Sequence, residues 1–246
     1  MTSSSSITRA MILAAGLGTR FKPWTDRHPK ALALVNGKSL LQRNIEYLQS
    51  YGIRDIVVNV HHFAGQIEEA LAINQGWGSH YIISDETAAV LETGGGLRKA
   101  APFLENAPFV LMNVDILTDM DLSAMISDHL LNGPLATLAV TNRITSRYFL
   151  FDEKDELCGW RNVKTGQERM ARPAAASVQK AFSGIHVIDP SIFFLMTMEG
   201  KFSMVDVYLE LAAAHSIRGF DHSHSRLIDV GKPESAEQAE RLFRNT

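Results

Sequence analysis

Short apolar runs alternate along this chain with longer segments whose apolar residues recur at helical spacing. Continuous apolar runs are typical of strands buried on both faces of a sheet, and they occur at residues 10–13, 55–60, 109–113, 135–141 and 181–188. Helical spacing is found at residues 39–51, 64–73, 121–131 and 203–215. Strands that alternate with helices of this length predict right-handed crossovers, so we expect an α/β fold with a mostly parallel central sheet.

The later part of the chain adds antiparallel elements to this pattern. Residues 148–151 and 156–160, separated by the polar segment DEKD, predict a β-hairpin. A last strand is predicted at residues 226–230, and Pro233 begins a closing helix. Ligands of mostly parallel sheets bind at the carboxyl ends of the strands, so the loops that follow the strands are the first places to search for a site.

The loop after the first apolar run has the composition of a phosphate-binding loop. Gly16 and Gly18 allow backbone N–H groups to approach an anion, and Arg20, Lys22 and Lys30 follow with full positive charges. The spacing differs from a Walker A loop, which needs Lys-Ser/Thr after its second glycine, and from a dinucleotide fingerprint, which needs a third glycine. We therefore expect a triphosphate to bind here by a different loop.

Composition and charge narrow the class of protein. The 246 residues are 46% hydrophobic and 21% charged with a net charge of −3, which predicts a globular chain and argues against nucleic acid or an anionic membrane as a partner. One cysteine, Cys158, and the lack of a membrane-length apolar run indicate a cytoplasmic protein. The serine-rich start predicts a disordered leader over residues 1–7, followed by a single domain over residues 8–246.

Two consecutive motifs carry a family resemblance. LAAGLGTRFKP and HPKALALVNGKSLL resemble the GxGTRxxP and PKxLxxVxGKPLL signatures of the sugar-1-phosphate nucleotidylyltransferases, also called nucleotide-sugar pyrophosphorylases. Within that family the chain is most similar to the short bacterial N-acetylmuramate-1-phosphate uridylyltransferases and to mannose-1-phosphate guanylyltransferase-like proteins. The resemblance implies a Rossmann-like three-layer sandwich of the nucleotide-diphospho-sugar transferase type.

The resemblance also assigns roles in the first loop. It implies that the backbone of this loop holds the nucleoside triphosphate, through Leu13, Ala14, Ala15, Gly16, Gly18 and Thr19. Arg20 would stabilise the pyrophosphate leaving group, and Lys30 would reach the phosphates where the bond breaks. These two side chains are the predicted catalytic residues.

A second glycine-rich segment, LETGGGLRKA, begins at Leu91. Read from its residues alone, it is either a site where backbone approaches a flat ligand or a tight turn that caps a helix, with Thr93 as the N-cap. The resemblance favours the first alternative, because the family has a glycine-rich segment here whose backbone lies against the nucleobase. It makes Gly94 and Gly95 the predicted base-binding residues and lets Glu92 orient the base or the ribose.

Two aspartates that follow apolar runs are the predicted metal ligands. A carboxylate at the end of a buried strand costs desolvation energy unless it is paired, and the family has a metal-binding aspartate at the position of Asp115. Val114 replaces the glycine that the family usually has before it. IDVGKPES resembles the family's DVGTPE segment, which makes Asp229 the second ligand of a Mg²⁺ ion. Asp119 and Asp121 fit helix capping better than metal binding.

The sugar end of the site is less well marked in the sequence. The resemblance implies sugar contacts from Asn113, Ser183, Gly184 and Asp206, although a charge at a helix N-terminus also explains Asp206. Many relatives carry an EKP motif whose lysine meets the sugar phosphate. Here the motif is absent and Lys164 is a weak substitute, while Arg143 is either a sugar contact or part of a solvated loop. For His222 in HSHS we expect an exposed edge rather than a zinc site.

Together these residues predict a Mg²⁺-dependent nucleotidyltransferase. It would join a nucleoside triphosphate to a sugar 1-phosphate, giving a nucleotide sugar and pyrophosphate, and would act as a monomer or a small homo-oligomer. UTP with N-acetylmuramate 1-phosphate is the first substrate pair, and GTP with mannose 1-phosphate is the alternative. A regulatory protein that binds nucleotide sugars without catalysis is a further alternative, since a fold does not fix a function.

Overall fold

The computed structural model of the chain describes residues 7–244. Its strands are β1 Arg9–Leu13, β2 Leu34–Val35, β3 Lys38–Ser39, β4 Asp55–Val60, β5 His80–Asp85, β6 Phe109–Asn113, β7 Ile116–Thr118, β8 Ala136–Thr141, β9 Arg147–Phe151, β10 Leu157–Asn162, β11 Gln167–Met170, β12 Val178–Ile188, β13 Ile217–Asp221 and β14 Leu227–Asp229. Its helices are α1 Leu40–Ser50, α2 Ala64–Ile73, α3 Glu92–Lys99, α4 Ala101–Leu104, α5 Leu122–Asn132, α6 Ile192–Leu195, α7 Met204–Leu211 and α8 Pro233–Leu242.

A ten-stranded sheet forms the centre of the molecule. β5, β4, β1 and β6 lie side by side and run parallel, in the order expected of a doubly wound fold. β12 enters antiparallel between β6 and β8, and β13 then pairs parallel with β8. The predicted mostly parallel central sheet is confirmed, and the predicted hairpin is the antiparallel pair β9–β10.

Helices cover both faces of this sheet because its central strands are apolar on both faces. In β1, Ala10 and Ile12 pack into a core with α1, α2, α5 and α8, whereas Met11 and Leu13 pack into a second core with α3, α6 and α7. Burying a side chain as large as Ile12, Met11 or Leu13 stabilises the fold by about 1.5–3 kcal/mol. The two cores confirm the predicted three-layer sandwich, and its carboxyl edge gathers the loops that follow β1, β4, β5, β6, β8 and β13.

The N-terminal residues were predicted to form a disordered leader. Of the predicted disordered leader, residues 1–6 lie outside the described residues, and Ile7 is buried against the first core. Across residues 7–244, none of the helices combines the length and the apolar character needed to cross a membrane.

Candidate active site

A cavity of about 450 Å³ opens at the carboxyl edge of the sheet, where the chain order of the strands reverses between β1 and β6. This switch point is the expected ligand site of a doubly wound sheet. Most of the residues predicted to bind nucleotide line the cavity. The lining includes Leu13, Ala14, Ala15, Gly16, Gly18, Thr19, Arg20, Lys30, Glu92, Asn113 and Asp115.

Gly18 gives the loop after β1 its shape. Its φ is +59°, and a Cβ there would lie 2.8 Å from Cγ2 of Thr25, so a larger residue would be strained as well as crowded. The Gly18 carbonyl accepts hydrogen bonds from the Phe21 N–H at 2.8 Å and from the Thr25 hydroxyl at 2.9 Å. The chain therefore turns sharply after Gly18 and brings Arg20 and Lys30 to the cavity.

Asn59 and Glu86 complete one end of the cavity and were not among the predicted site residues. Asn59 Oδ1 accepts from the Ala14 N–H at 2.7 Å, and its Nδ2 donates to Glu86 at 2.7 Å. Burial raises the pKa of the Glu86 carboxyl, while the hydrogen bond from Asn59 opposes the rise. The signal in the sequence was a single amide within the β-branched run DIVVNV, because a buried polar side chain needs a partner.

The predicted metal ligands, Asp115 and Asp229, lie close together, and Asp115 is part of the cavity lining. β14 pairs with β7, and the Val230 N–H donates to the Asp115 carbonyl at 2.8 Å. Lys30 forms an ion pair with Asp115. Burial and then Asp115 raise the pKa of the Asp229 carboxyl, whereas the charges of Lys30, Arg20 and Arg143 oppose the rise.

This pair of carboxylates fits a divalent cation. Asp229 Oδ1 is buried and has no hydrogen-bond partner among the described residues, which leaves a full acceptor without a donor. Within residues 7–244 no cluster of three His, Cys, Asp or Glu side chains forms a metal site. Two carboxylates with other oxygens from phosphate and water are the usual donor set of Mg²⁺.

Arg20 lies beside Asp229 because Gly231 leaves room for both side chains. A Cβ at Gly231 would lie 2.8 Å from Asp229 Oδ1 and 3.1 Å from an Arg20 guanidinium nitrogen. The glycine of the DVGK segment thus allows a cation and an anion to converge at the same wall. Arg20, Lys30 and Asp115 line the cavity and Asp229 lies beside Arg20, and we call these four residues the charged wall.

Gly94 and Gly95 are placed differently from the prediction. Both lie buried in α3, and their N–H groups donate to the Phe202 carbonyl at 2.9 and 3.2 Å. A Cβ at Gly95 would overlap the Gly200 carbonyl oxygen, so these glycines permit close packing between α3 and the segment before α7. The predicted N-cap, Thr93, instead accepts a hydrogen bond from the Met204 N–H at 2.9 Å.

Gly95→Ala is expected to destabilise the fold by about 1–3 kcal/mol, the usual cost of overpacking. The added methyl would push α3 away from Gly200, whose backbone has no rotamer to adopt. Gly65→Ala in α2 is the matched control, because a Cβ at Gly65 meets no atom within 4 Å and alanine favours a helix. Urea denaturation of both variants checks this, and equal stability of the two would contradict the packing role.

At the sugar end, Asn113 and Gly184 lie together. Gly184 has a φ of +74° and interrupts the pairing of β12 with β8, and a Cβ there would lie 2.8 Å from Asn113 Nδ2. The Ser183 side chain is fully buried and its hydroxyl lies 2.8 Å from His222 Nε2. Asp206 is not part of the cavity lining; it pairs with Arg169 at 2.6 Å and accepts a hydrogen bond at 2.6 Å from the hydroxyl of Ser203, which does line the cavity.

Two expectations for this end are therefore corrected. His222 is buried rather than exposed, because it follows the end of β13 and turns inward to Ser183. The Ser183 hydroxyl is not open to a sugar in this arrangement, because the side chain is fully buried against His222. Asp119 pairs with Arg226 instead of capping a helix, and Asp121 caps α5 as expected.

Comparisons with known proteins agree with this geometry. A model of the family described as "Nucleotidyl transferase" matches residues 9–240. N-acetylmuramate α-1-phosphate uridylyltransferase from Neisseria meningitidis serogroup B is 43% identical over 47% of this chain and 50% of its own length. The catalytic subunit beta of mannose-1-phosphate guanylyltransferase from Drosophila melanogaster is 28% identical over 92% of this chain and 60% of its own length. The matches thus span about half to three-fifths of these relatives.

A solved structure supports the fold independently. HddC from Yersinia pseudotuberculosis, solved in complex with GMP-PN, aligns over 96% of this chain and 100% of that chain with a TM-score of 0.77 at 22% identity. At that identity the likeness concerns the three-layer fold.

Proposed function

Because the chain belongs to the nucleotidyl transferase family, we propose that it transfers a nucleoside monophosphate from a nucleoside triphosphate to a sugar 1-phosphate. An oxygen of the sugar phosphate forms a bond to the α-phosphorus, and the bond between that phosphorus and the bridging oxygen to the β-phosphate breaks. The electron pair leaves with pyrophosphate. The observation that carries the proposal is the charged wall, where two cations and two carboxylates converge beside a glycine loop.

The attacking oxygen is already an anion, so the reaction needs no general base. Its difficulty is the approach of one anion to another, and positioning together with charge stabilisation reduces that barrier. In this proposal the N–H groups of the Gly16 loop bind the triphosphate and Arg20 neutralises the departing pyrophosphate. Lys30 contacts the phosphates beside the reacting phosphorus.

Asp115 and Asp229 are the proposed ligands of Mg²⁺. An ion held by these two carboxylates would supply positive charge that offsets the negative charge of the reacting phosphates. The orphaned Asp229 oxygen supports this assignment. Lys30 forms an ion pair with Asp115, and we expect its side chain to transfer that contact to the substrate phosphates on binding.

UTP and N-acetylmuramate 1-phosphate are the first proposed substrates, since the two relatives with 43% identity carry that activity in their names. Glu86 and Asn59, at the end of the cavity away from β12, are the proposed groups beside the nucleobase. GTP and mannose 1-phosphate are the second candidate, because the guanylyltransferase relatives align over 92% of the chain.

Pyrophosphate release tests the proposal. UTP, GTP, CTP and dTTP are each combined with the 1-phosphates of N-acetylmuramate, N-acetylglucosamine, mannose and glucose, with Mg²⁺ and with excess EDTA. We expect release with one preferred pair and at least a hundredfold loss in EDTA, since removing the ion removes the largest local charge. Nucleotide binding by calorimetry without release from any pair would favour the regulatory alternative.

Other parts of the sequence-based account remain predictions. These are the single domain over residues 8–246, the cytoplasmic location and the monomeric or small oligomeric state. The continuous ten-stranded sheet supports the first of them.

A further inference from the structure

Arg143 is the feature of the sugar end that the reaction as proposed does not use. It lies two residues after Thr141, which ends β8. β8 and β6 both run antiparallel to β12, so they are parallel to each other and their carboxyl ends face the same edge of the sheet. Arg143 therefore follows a strand that ends on the same side as Asn113 and Asp115.

Arg143 is an exposed residue, and a hydrogen bond fixes its side chain to β12 at this edge. One guanidinium nitrogen donates to the Phe182 carbonyl at 2.7 Å. Phe182 is followed by the bulge in which Gly184 contacts Asn113, a residue of the cavity lining. Two residues span roughly 7 Å along a strand, so the Phe182 carbonyl that accepts from Arg143 lies about that far from Gly184, the neighbour of Asn113.

The strand order indicates which part of the substrate reaches Arg143. Asn59 in β4 and Glu86 after β5 lie on one side, the glycine loop follows β1, and the charged wall includes Asp115 after β6. β12 and β8 come next on the other side. A sugar attached to the attacking phosphate would extend in this direction, toward Arg143.

Several cations in this part of the chain are held in ion pairs, whereas Arg143 acts on the Asp229 carboxyl without forming an ion pair with it. Lys180 pairs with Asp221 at 2.5 Å, and ion pairs of 2.6 Å also hold Arg161, Arg169 and Arg226. Among residues 7–244 Arg143 takes part in none of the ion pairs. Its remaining donors therefore have their full capacity for an anion.

We infer that Arg143 is a specificity residue that binds an anionic group of the sugar substrate, an inference that rests on the proposed function. Two groups share the required chemistry, namely the 1-phosphate and the lactyl carboxylate of a muramate sugar. If the bound group is the 1-phosphate, Arg143 takes the place of the missing EKP lysine. If it is the lactyl carboxylate, Arg143 adds a cation for an acidic sugar. Nearby His222 supports a polar subsite, because its Nδ1 is buried without a partner among the described residues.

The test compares Arg143→Met with Lys164→Met. Lys164 is the other candidate cation and lies in the exposed turn between β10 and β11, so it controls for the loss of one charge. N-acetylmuramate 1-phosphate and N-acetylglucosamine 1-phosphate differ only by the lactyl ether. Calorimetry with each sugar phosphate and steady-state KM values for both substrates are measured on every variant.

Arg143→Met is expected to raise the Kd and KM for the sugar substrate about tenfold, the usual effect of one charged hydrogen bond. The nucleotide KM and kcat should stay within about twofold of the wild type. Weaker binding of both sugar phosphates would show that Arg143 binds the 1-phosphate. Weaker binding of N-acetylmuramate 1-phosphate alone would show that it binds the lactyl carboxylate. Arg143→Lys should recover part of the binding, since it keeps the charge without the planar fork.

Unchanged binding of both sugars by Arg143→Met, an equal loss in Lys164→Met, or no binding of either sugar by the wild type would overturn the inference. The proposed function fails separately. If the wild type binds a sugar phosphate in an Arg143-dependent manner but releases no pyrophosphate, the subsite is retained and the transferase activity is rejected.

Discussion

Lys30→Ala is expected to lower kcat by about 10²–10³, the usual cost of removing one preorganised charge from a transition state. Lys30 lines the cavity and is mostly buried, with 12% of its side chain exposed. Because Lys30 forms an ion pair with Asp115, the variant also leaves that carboxylate without its cation. Stopped-flow or steady-state pyrophosphate release with saturating substrates gives the kcat.

Lys38→Ala is the matched control for this variant. Lys38 also forms an ion pair with a carboxylate, Glu46 at 2.7 Å, but outside the cavity. An exposed pair of this kind contributes at most about 1 kcal/mol, and kcat should stay within twofold. If Lys30→Ala kept more than a tenth of the wild-type kcat, Lys30 would be removed from the catalytic residues.

Asp229→Asn is expected to abolish the response to Mg²⁺ and to reduce kcat by about 10²–10³. With UTP and no sugar phosphate, Mg²⁺ at a hundred times its Kd should stabilise the wild type by about 2.7 kcal/mol. The variant should show little of this shift, because half of the carboxylate pair is gone. Thermal unfolding with and without Mg²⁺ measures it without turnover.

The same substitution has a second readout in metal-free buffer. Burial and Asp115 raise the pKa of Asp229, so its ionisation disfavours the folded state. Wild-type stability is therefore reduced as the pH rises through the interval between the unfolded pKa, about 3.9, and the raised folded pKa. At neutral pH Asp229→Asn should be at least as stable as the wild type.

Asp119→Asn is the matched control for the Mg²⁺ response. It breaks the ion pair with Arg226 outside the cavity and should keep the response.

The sequence predicted the parts of this site that depend on strand ends and on the first loop. The apolar runs placed β1 and β6 in the core, and the residues after them therefore had to lie at one edge of the sheet. Gly18, Lys30 and Asp115 accordingly line one cavity. The strand before Asp229 was predicted, but its role as a metal ligand came only from the family resemblance, since β14 is short and half-buried and pairs with β7 outside the central sheet.

The sequence predicted the site less well where one residue type can have two structural roles. A glycine permits either a ligand or another backbone to approach, and in Gly94 and Gly95 the approaching group is the segment before α7. Ser183 was misplaced for a different reason. The pairing of β12 with β8 shifts its register between Phe182 and His186, so the side chains no longer alternate between the two faces as in a regular strand. The segment AFSGIHVI alone does not predict this register.

The most direct test of the central claim follows the phosphorus atoms of the nucleotide. The protein is incubated with Mg²⁺ and the preferred pair of substrates, using triphosphate labelled with ³²P at the α position in one reaction and at the γ position in another. We expect the α label in the nucleotide sugar and the γ label in pyrophosphate, in equal amounts. Label released as nucleoside monophosphate or inorganic phosphate, or label that stays in the triphosphate with every sugar phosphate, would contradict this expectation.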